Sequence, residues 1–596
     1  LGRRVAEYFD HPCDIEWGWA DGQPALLQAR AIKGLELAAD LQDARSEERQ
    51  RLQALGSEIP TVWVLHNLAE TLPAPTPLTA DLMRRFLSAR GGFGQLYRLL
   101  GFTPLDTPHS LLEIIGGRPY LDPRRAAELF FGDLPLGYDL DRLAVDAQLL
   151  DGPPQRIEWE RASTWFFLQV PRLLAIVWRA ARREQQLASS AVTRFQQHVV
   201  RAVDRFLAET RDKKLPELDD GQLAAEWQRR RDWVLGELAA ESLLPGYLGG
   251  LAFARLRESL IRIAGPVDGA LWSTRLTAGL PGDVTVEQND WLWQVAQGQR
   301  SLDEFLTRFG HRAAGEMELA VPRWCDDPSY VMRIVDQWRT QSGETPAARH
   351  AAQEAAREAA EREWTSELAR YGASSLREDL WVDLRRAQQL LPYREAGKFQ
   401  LLRAYATLRD VACEWGRRWQ LGEDVFYLAE QELVTGRPAR ESCADQVRRR
   451  RLRWQSCQKL GFPERIDSRR LEELDHGPAP SPQEDATQGT LAARPLSAGI
   501  VEGTARHVLD PRDGTALPDD CILICPSTDP GWTPLFVRIR GLIVERGGAL
   551  SHGAIVARDF GIPAVACERA LARIPDGARI RLDAERGEVR IMGATP

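Results

Sequence analysis

The sequence predicts a multidomain chain, a large all-α central domain followed by a small α/β domain, and three observations carry that prediction. At 596 residues the chain is about four times the ordinary ~150-residue domain, so several cores are expected. Amphipathic helical periodicity fills its middle, as in AAQEAAREAAEREW (351–364) and KFQLLRAYATLRDVACEWGRRW (398–419). Past the Pro-, Ser- and Gln-rich stretch HGPAPSPQEDATQGTLAARP, the period changes to the short apolar runs GIVEGTARHV, CILIC, GLIVE and AVAC, with HGAIVARDF as an interleaved helix.

In order, residues 1–36 read as two short strands, DIEWGW and PALLQARAI, joined by a turn at Asp21-Gly22, a piece too small to fold alone. The chain opens at Leu1 rather than Met, and the expectation is a piece of a longer polypeptide or one subunit of a split enzyme. Residues 37–475 form the helical domain; no fixed-period repeat is found, so a solenoid is not favoured. Residues 476–495 are a flexible linker by composition, able to reach roughly 60 Å extended or about 25 Å as a coil. Residues 496–596 form the α/β domain.

Composition excludes several classes. Hydrophobic residues at 44% and charged residues at 27% rule out a mainly disordered or fibrous chain. With 85 acidic against 77 basic residues, the net charge of −8 provides no overall positive field for nucleic acid or anionic membrane. The nearest thing to a membrane span, 165–178, is broken by Gln169, Pro171 and Arg172; without a signal peptide, a cytoplasmic location is expected. The eight cysteines form no CxxC pair and are expected to be reduced and mostly buried, Cys521 and Cys525 as core residues of a strand. Arg448 to Arg451 reads as a solvated helix face.

The sharpest chemical signal is GGALSHGAIVARDFGIPAV (547–565). Gly547 and Gly548 permit a tight turn after a buried strand, Ser551 occupies an N-cap position, and His552 begins a helix that stops at Gly561 before Pro563. A helix start disfavours a protonated imidazole and stabilises a phosphoryl group placed on it. Alone, such a histidine is more often a structural cap. Together with TDPGWTPLF (528–536) and SAGIVEGTAR (497–506), the string resembles the phosphohistidine swivelling domain of the phosphoenolpyruvate-utilising enzymes, which include phosphoenolpyruvate synthase, pyruvate phosphate dikinase and rifampin phosphotransferase. Asp583-Ala584 departs from the pattern, in which Gly commonly follows the Asp.

The resemblance extends upstream. DIEW (14–17) and LLQAR (26–30) look like the closing strands of that family's ATP-grasp nucleotide domain, which implies that Glu16 holds Mg²⁺ while Gln28 and Arg30 lie near the phosphates of ATP. The glycine-rich phosphate loop and lysine-bearing lobe of that domain are not found before them, so an ATP-grasp domain or subunit is the expected partner. NLAETLPAPTPLT (67–79), GRPYLD (117–122), FGHRAAGEMELAVPRW (309–324), YREAGKFQLLR (393–403) and DVFYL (424–428) look most like the acceptor-binding domain of the rifampin phosphotransferases. Arg394 and Lys398, four apart on one helical face around Glu395, are the implied phosphoryl- and acceptor-binding pair; read bare, they are an exposed charge set. Arg312 and Glu316, with His311, are weaker candidates that fit a structural ion network equally well.

These readings imply a dikinase-type phosphotransferase in which phosphate passes from ATP to His552 and then to a hydroxyl of a small organic acceptor. That acceptor is expected in an apolar pocket within 60–430, with Arg394 and Lys398 at its mouth. Because the chain ends at Pro596, directly after the swivelling domain, no phosphoenolpyruvate-binding barrel is expected to follow. Phosphorylation of a phenol, phosphate-driven condensation as in prodigiosin-type ligases, and a non-enzymatic phosphohistidine carrier are the alternatives; the size of the helical domain disfavours the carrier.

Overall fold

A computed structural model describes Val5 and residues 13–20, 23–31, 35–57, 59–65, 68–107, 109–162, 166–339, 344–372, 377–436, 440–475, 489–514 and 517–592. Alternating residues at the start of the chain pair as an antiparallel ribbon, Cys13–Ala20 against Gln23–Ala31, with a bulge between Glu16 and Trp17. Its Asp21-Gly22 turn lies outside the described residues. Trp17, Trp19 and Leu27 of this ribbon are exposed.

Helices dominate from Leu35 to Gln458. Their starts follow side-chain chemistry: Asp122 accepts from the Arg124 amide, and capping boxes close at Asp219/Gln222 and Ser301/Glu304. Two of the longest helical runs each contain a π-helical segment, Phe195–Val200 and Val234–Leu238. A core rich in aromatic rings, Trp227 and Trp415 among them with ring centroids 5.7 Å apart, joins these helices to Tyr393–Trp419. The helical domain also carries a small antiparallel sheet that helical periodicity did not reveal. It has the order Leu112–Ile115, Arg118–Leu121, Val62–Leu65, Arg465–Asp467, so its outer strand returns from some 400 residues away.

The C-terminal domain is built on one eight-stranded sheet. Ile500–His507, Cys521–Cys525, Gly541–Val544 and Ala564–Ala566 run parallel at its centre, and every residue of CILIC is buried, as a two-sided parallel strand requires. Thr490–Ala492 pairs with Glu588–Ile591, and Arg494–Ser497 with Ala564–Ala566. The sheet therefore takes in 490–495, which composition assigned to the linker; backbone pairing, not apolar side chains, holds these edge residues. Residues 476–488 lie outside the described set.

The small domain sits against the helical domain through a shared apolar core in which Phe305, Trp324, Tyr330 and Phe399 join Trp532, Phe536, Val556 and Phe560. Tyr330 Oη donates to the Gly531 carbonyl across this seam at 2.7 Å. No disulfide joins Cys325, Cys413, Cys443, Cys457, Cys521, Cys525 or Cys567, and the last five of these are buried. Arg450 and Arg451 pair with Glu432 and Asp424, so that helix face is held by ion pairs rather than solvated throughout. Among the described residues no helix is long and apolar enough to cross a membrane.

Candidate active site

His552 opens the His552–Asp559 helix beyond the C-terminal end of the parallel strand Gly541–Val544, the edge where open α/β sheets place their ligands. Ser551 caps the helix, its Oγ accepting from the Ala554 amide at 3.4 Å. Gly547 takes φ +155, where an added Cβ would crowd Ser551 Oγ at 3.0 Å; Gly548 shows neither constraint, so the tight turn rests on Gly547 alone.

An exposed imidazole at the helix start is not what the structure contains. His552 is 5% exposed, because the helical domain covers it. Its Nδ1 lies 3.3 Å from Glu395 Oε2, and its Nε2 lies 3.1 Å from Thr533 Oγ1. Burial pushes the Glu395 carboxyl up, but His552, Lys398 and Arg312 together hold it well below the usual carboxylate range. An ionised Glu395 can accept a hydrogen bond from Nδ1–H, and a neutral ring held that way would turn its Nε2 lone pair toward the Thr533 hydroxyl. Glu395, which the sequence reading placed in an exposed charge set, is thus 3% exposed and a direct partner of His552.

Close backbone approach brings these groups together. Gly397 lets the Tyr393–Trp419 helix approach the 239–264 helix so closely that a Cβ would stand 2.1 Å from the Ser242 carbonyl oxygen. Gly531 does the same between TDPGWTPLF and FGHRAAGEMELAVPRW, where a Cβ would lie 2.5 Å from Ala314 Cα. Asp529 ties the two motifs, accepting from the Gly315 amide at 2.7 Å through Oδ2 and from the Gly531 amide at 2.7 Å through Oδ1. Its carboxyl is raised to about 6 by burial and by Glu316, against the opposing pull of Lys398, the Gly315 amide and His552.

Behind Glu395 lies an ion network. Arg312 Nη1 is 3.4 Å from Glu316 Oε2, Lys398 Nζ is 3.2 Å from Glu316 Oε1, and Arg323 Nη1 donates to the Glu316 carbonyl at 2.8 Å. Arg312 and Glu316 are fully buried, yet Arg312 Nε and Nη2 have no partner among the described residues. His311 stands half-buried beside them, its pKa lowered by desolvation and by Arg312, its ring 4.7 Å from that of Phe399. Arg312, Glu316 and Lys398 are therefore brought to the His552 neighbourhood, with Glu316 serving as the shared anchor of both cations.

A 600 Å³ cleft opens between the two π-helical segments, lined by Thr193, Gln197, His198, Trp233, Leu238 and Glu241, but neither Arg394 nor Lys398 lines it. Lys398 instead reaches Glu316, and the half-buried Arg394 lies in the field of Glu70.

Glu16 faces Gln28 directly across the N-terminal ribbon, both exposed. Arg30 stands opposite Asp14 in the register; its side chain lies outside the described residues. One carboxylate beside one amide fits an oxygen-coordinated Mg²⁺ and the phosphates it neutralises. Among the described residues no group of three or more His, Cys, Asp or Glu side chains could hold a metal ion, so this would be part of a site.

Glu395, Thr533 and Asp529 escaped the sequence reading as site residues. The signal was present for Thr533 and Asp529, since both lie in the motif TDPGWTPLF. For Glu395 only its position between Arg394 and Lys398 pointed to it.

Residues 517–587 match the model of the PEP-utilising enzyme mobile domain, and residues 296–395, ending at Glu395, match that of the rifampicin phosphotransferase fourth domain. Rifampicin phosphotransferases of Streptomyces sviceus and of a Streptomyces species are 27% and 28% identical over 99% of the chain, which spans about 67% of the length of each. The prodigiosin synthesizing transferase PigC of Serratia marcescens is 29% identical over 49% of the chain and 33% of its own length. The chain accordingly carries a PEP-utilising enzyme mobile domain docked on a segment that matches the rifampicin phosphotransferase fourth domain, and it is similar to rifampicin phosphotransferases over nearly its whole length.

Proposed function

We propose that this chain relays a phosphoryl group from ATP, through phospho-His552, to a hydroxyl of a small organic acceptor bound by the helical domain, AMP and phosphate being the other products. The observation that carries the reading is the His552–Glu395 contact between the two domains. With its Nδ1 proton held by Glu395, the imidazole presents Nε2 as nucleophile and departs from phosphorus as a neutral ring. In the first transfer the Nε2 lone pair forms a bond to the β-phosphorus as the P–O bond to AMP breaks, and water then cleaves the β–γ P–O bond, releasing the terminal phosphate and leaving the β-phosphoryl group on Nε2. In the second, the acceptor oxygen forms its bond to phosphorus as the N–P bond breaks and the hydroxyl proton is released. Phosphoryl transfer needs positioning and neutralisation of charge, which Lys398, Arg312 and Arg394 supply. Loading takes place on an ATP-grasp domain to which the Cys13–Ala31 ribbon would belong, Glu16 holding Mg²⁺, with Gln28 and Arg30 toward the phosphates. Mg²⁺, when bound, supplies neutralisation of the nucleotide's phosphates.

A condensing outcome is the second reading, favoured by the similarity to PigC over half of the chain. There phosphate would leave the activated acceptor, so the two readings differ in whether a phosphorylated product accumulates. The test is labelling from β-³²P ATP with an ATP-grasp domain supplied in trans, and rifampicin as trial acceptor. An acid-labile, base-stable label on the wild type, absent from His552→Ala, is expected. Undiminished labelling of His552→Ala refutes the reading.

A further inference from the structure

The helix Phe166–Arg194 is apolar on two opposite sides. Phe166, Ile176, Leu187 and Ala191 lie on its buried side. On the other, Phe167, Pro171, Leu174, Trp178 and Ala181 recur at steps of four, three, four and three residues, and all five are exposed, Phe167 by 75% and Trp178 by 63%. That is the heptad spacing of a seam for another helix, and a helix apolar on both sides belongs in an interior. Leu168 and Trp159 extend the patch, Trp159 standing beside the helix start with its ring centroid 6.0 Å from that of Phe166. At roughly 200 Å² for each aromatic side chain, Trp159, Phe167 and Trp178 alone leave about 400 Å² of apolar surface in water. The largest apolar patch of an ordinary monomer is about 300–600 Å², and each half of a stable protein pair covers about 800 Å², so with its two leucines this face has the size that a partner covers.

The order of residues along the seam fits a copy of itself. Leu174 is its midpoint, and reversing the helix about that point sets Phe167 against Ala181 and Trp178 against Pro171, a large residue facing a small one at each step. Charge gives the same orientation. Arg179 and Arg182 flank the far end of the seam and make no ion pair among the described residues, Arg182 lying over the Trp178 ring at 5.4 Å, whereas the exposed Glu160 stands before the helix start, next to Trp159. Parallel pairing would set these arginines against their own copies; antiparallel pairing carries them toward the partner's Glu160. We propose that this face joins the same face of a second copy of the chain, the two helices running antiparallel about a two-fold axis at Leu174. The pairing needs no phosphoryl chemistry and stands or falls apart from the phosphohistidine reading.

Analytical ultracentrifugation of the full chain tests this, and a reversible dimer forming below about 100 µM is expected. Leu174→Arg sets like charges on the axis and Trp178→Glu removes an aromatic anchor, so each should weaken the dimer at least about tenfold. Both side chains are exposed in a single copy, so the far-ultraviolet circular dichroism of each variant should match that of the wild type. Orientation is read by cysteine cross-linking with diamide, in a Cys325→Ser, Cys413→Ser background that removes two exposed thiols. Leu174→Cys should link to its own copy, whereas Phe167→Cys, which meets the partner's Ala181, should not; Phe167→Cys combined with Ala181→Cys should link again. A chain that stays monomeric at about 100 µM, whatever else then covers the face, overturns the proposal. So does a dimer indifferent to both Leu174→Arg and Trp178→Glu, or a Phe167→Cys variant that links as readily as Leu174→Cys.

Discussion

Glu395→Gln should separate the two half-reactions. The substitution keeps the side chain's size and an acceptor oxygen 3.3 Å from Nδ1 but removes the charge. A hydrogen bond to a charged group is worth about 1.5–3 kcal/mol, which corresponds to roughly 10- to 150-fold in rate if it is felt mainly as phosphorus leaves the ring. The Coulomb ceiling, two unit charges about 4 Å apart at an effective dielectric of 20, is about 4 kcal/mol. Lys398 keeps its pairing with Glu316 in the variant, so the lower part of that range is expected, about 10- to 50-fold. Loading should be unchanged, because it occurs away from the helical domain. The assay loads the protein, removes ATP, adds acceptor and follows decay of acid-labile label in quenched samples. Because the Glu395 carboxyl is held below its usual range, its contribution is present above the unfolded value and is lost only as pH falls through the lower folded value. Wild type and variant should therefore differ most near neutral pH and converge in acid. Transfer at the wild-type rate, or loading impaired as much as transfer, would refute the role given to Glu395.

Gly531→Ala should lower the melting temperature and loosen domain docking, by roughly 1–3 kcal/mol, because its Cβ would strike the backbone of Ala314; scanning calorimetry that shows no shift would contradict the close approach. Asp283 and Asp529 are each raised to about 6, mainly by burial, so their protonated forms belong to the folded state. Their contribution is complete below the unfolded value and is lost as pH rises through about 6, so thermal unfolding from pH 4.5 to 7.5 should show this loss. Asp283→Asn, which can still cap the Val284–Ala296 helix, should flatten it. Lys398→Met should leave Glu316 facing Arg312 alone and slow transfer more than loading, measured with the same label-decay assay.

The α/β domain was legible because CILIC and GLIV are unbroken apolar runs bounded by turn residues, and because Ser551 and Gly561 punctuate the helix between them. The N-terminal ribbon was legible from its alternation. The small sheet of the helical domain was not: VWVL is four residues long and finds its partner Arg465–Asp467 far along the chain, beyond any local pattern. Thr490–Ala492 was hidden by polar composition, since an edge strand is held by its backbone. The fate of Glu395 was illegible for a different reason. Helical spacing says which residues share a face, and it placed Arg394 and Lys398 correctly on one helix, but it is silent on whether another domain covers that helix. Only the juxtaposition of 309–324, 393–398 and 528–536 turns an apparent surface charge set into a buried site.

The apolar core shared by Phe305, Trp324 and Phe399 with Trp532, Phe536 and Phe560 sets a timetable as well as a position. Departure of the small domain would wet those rings, at about 25 cal/mol for each Å² exposed, a cost that favours the closed arrangement. If the small domain carries the phosphoryl group as proposed, it would spend most of each cycle parked. Its turnover would then be governed by how long it stays, and a ligand that lengthens the stay would act as an inhibitor without touching phosphorus.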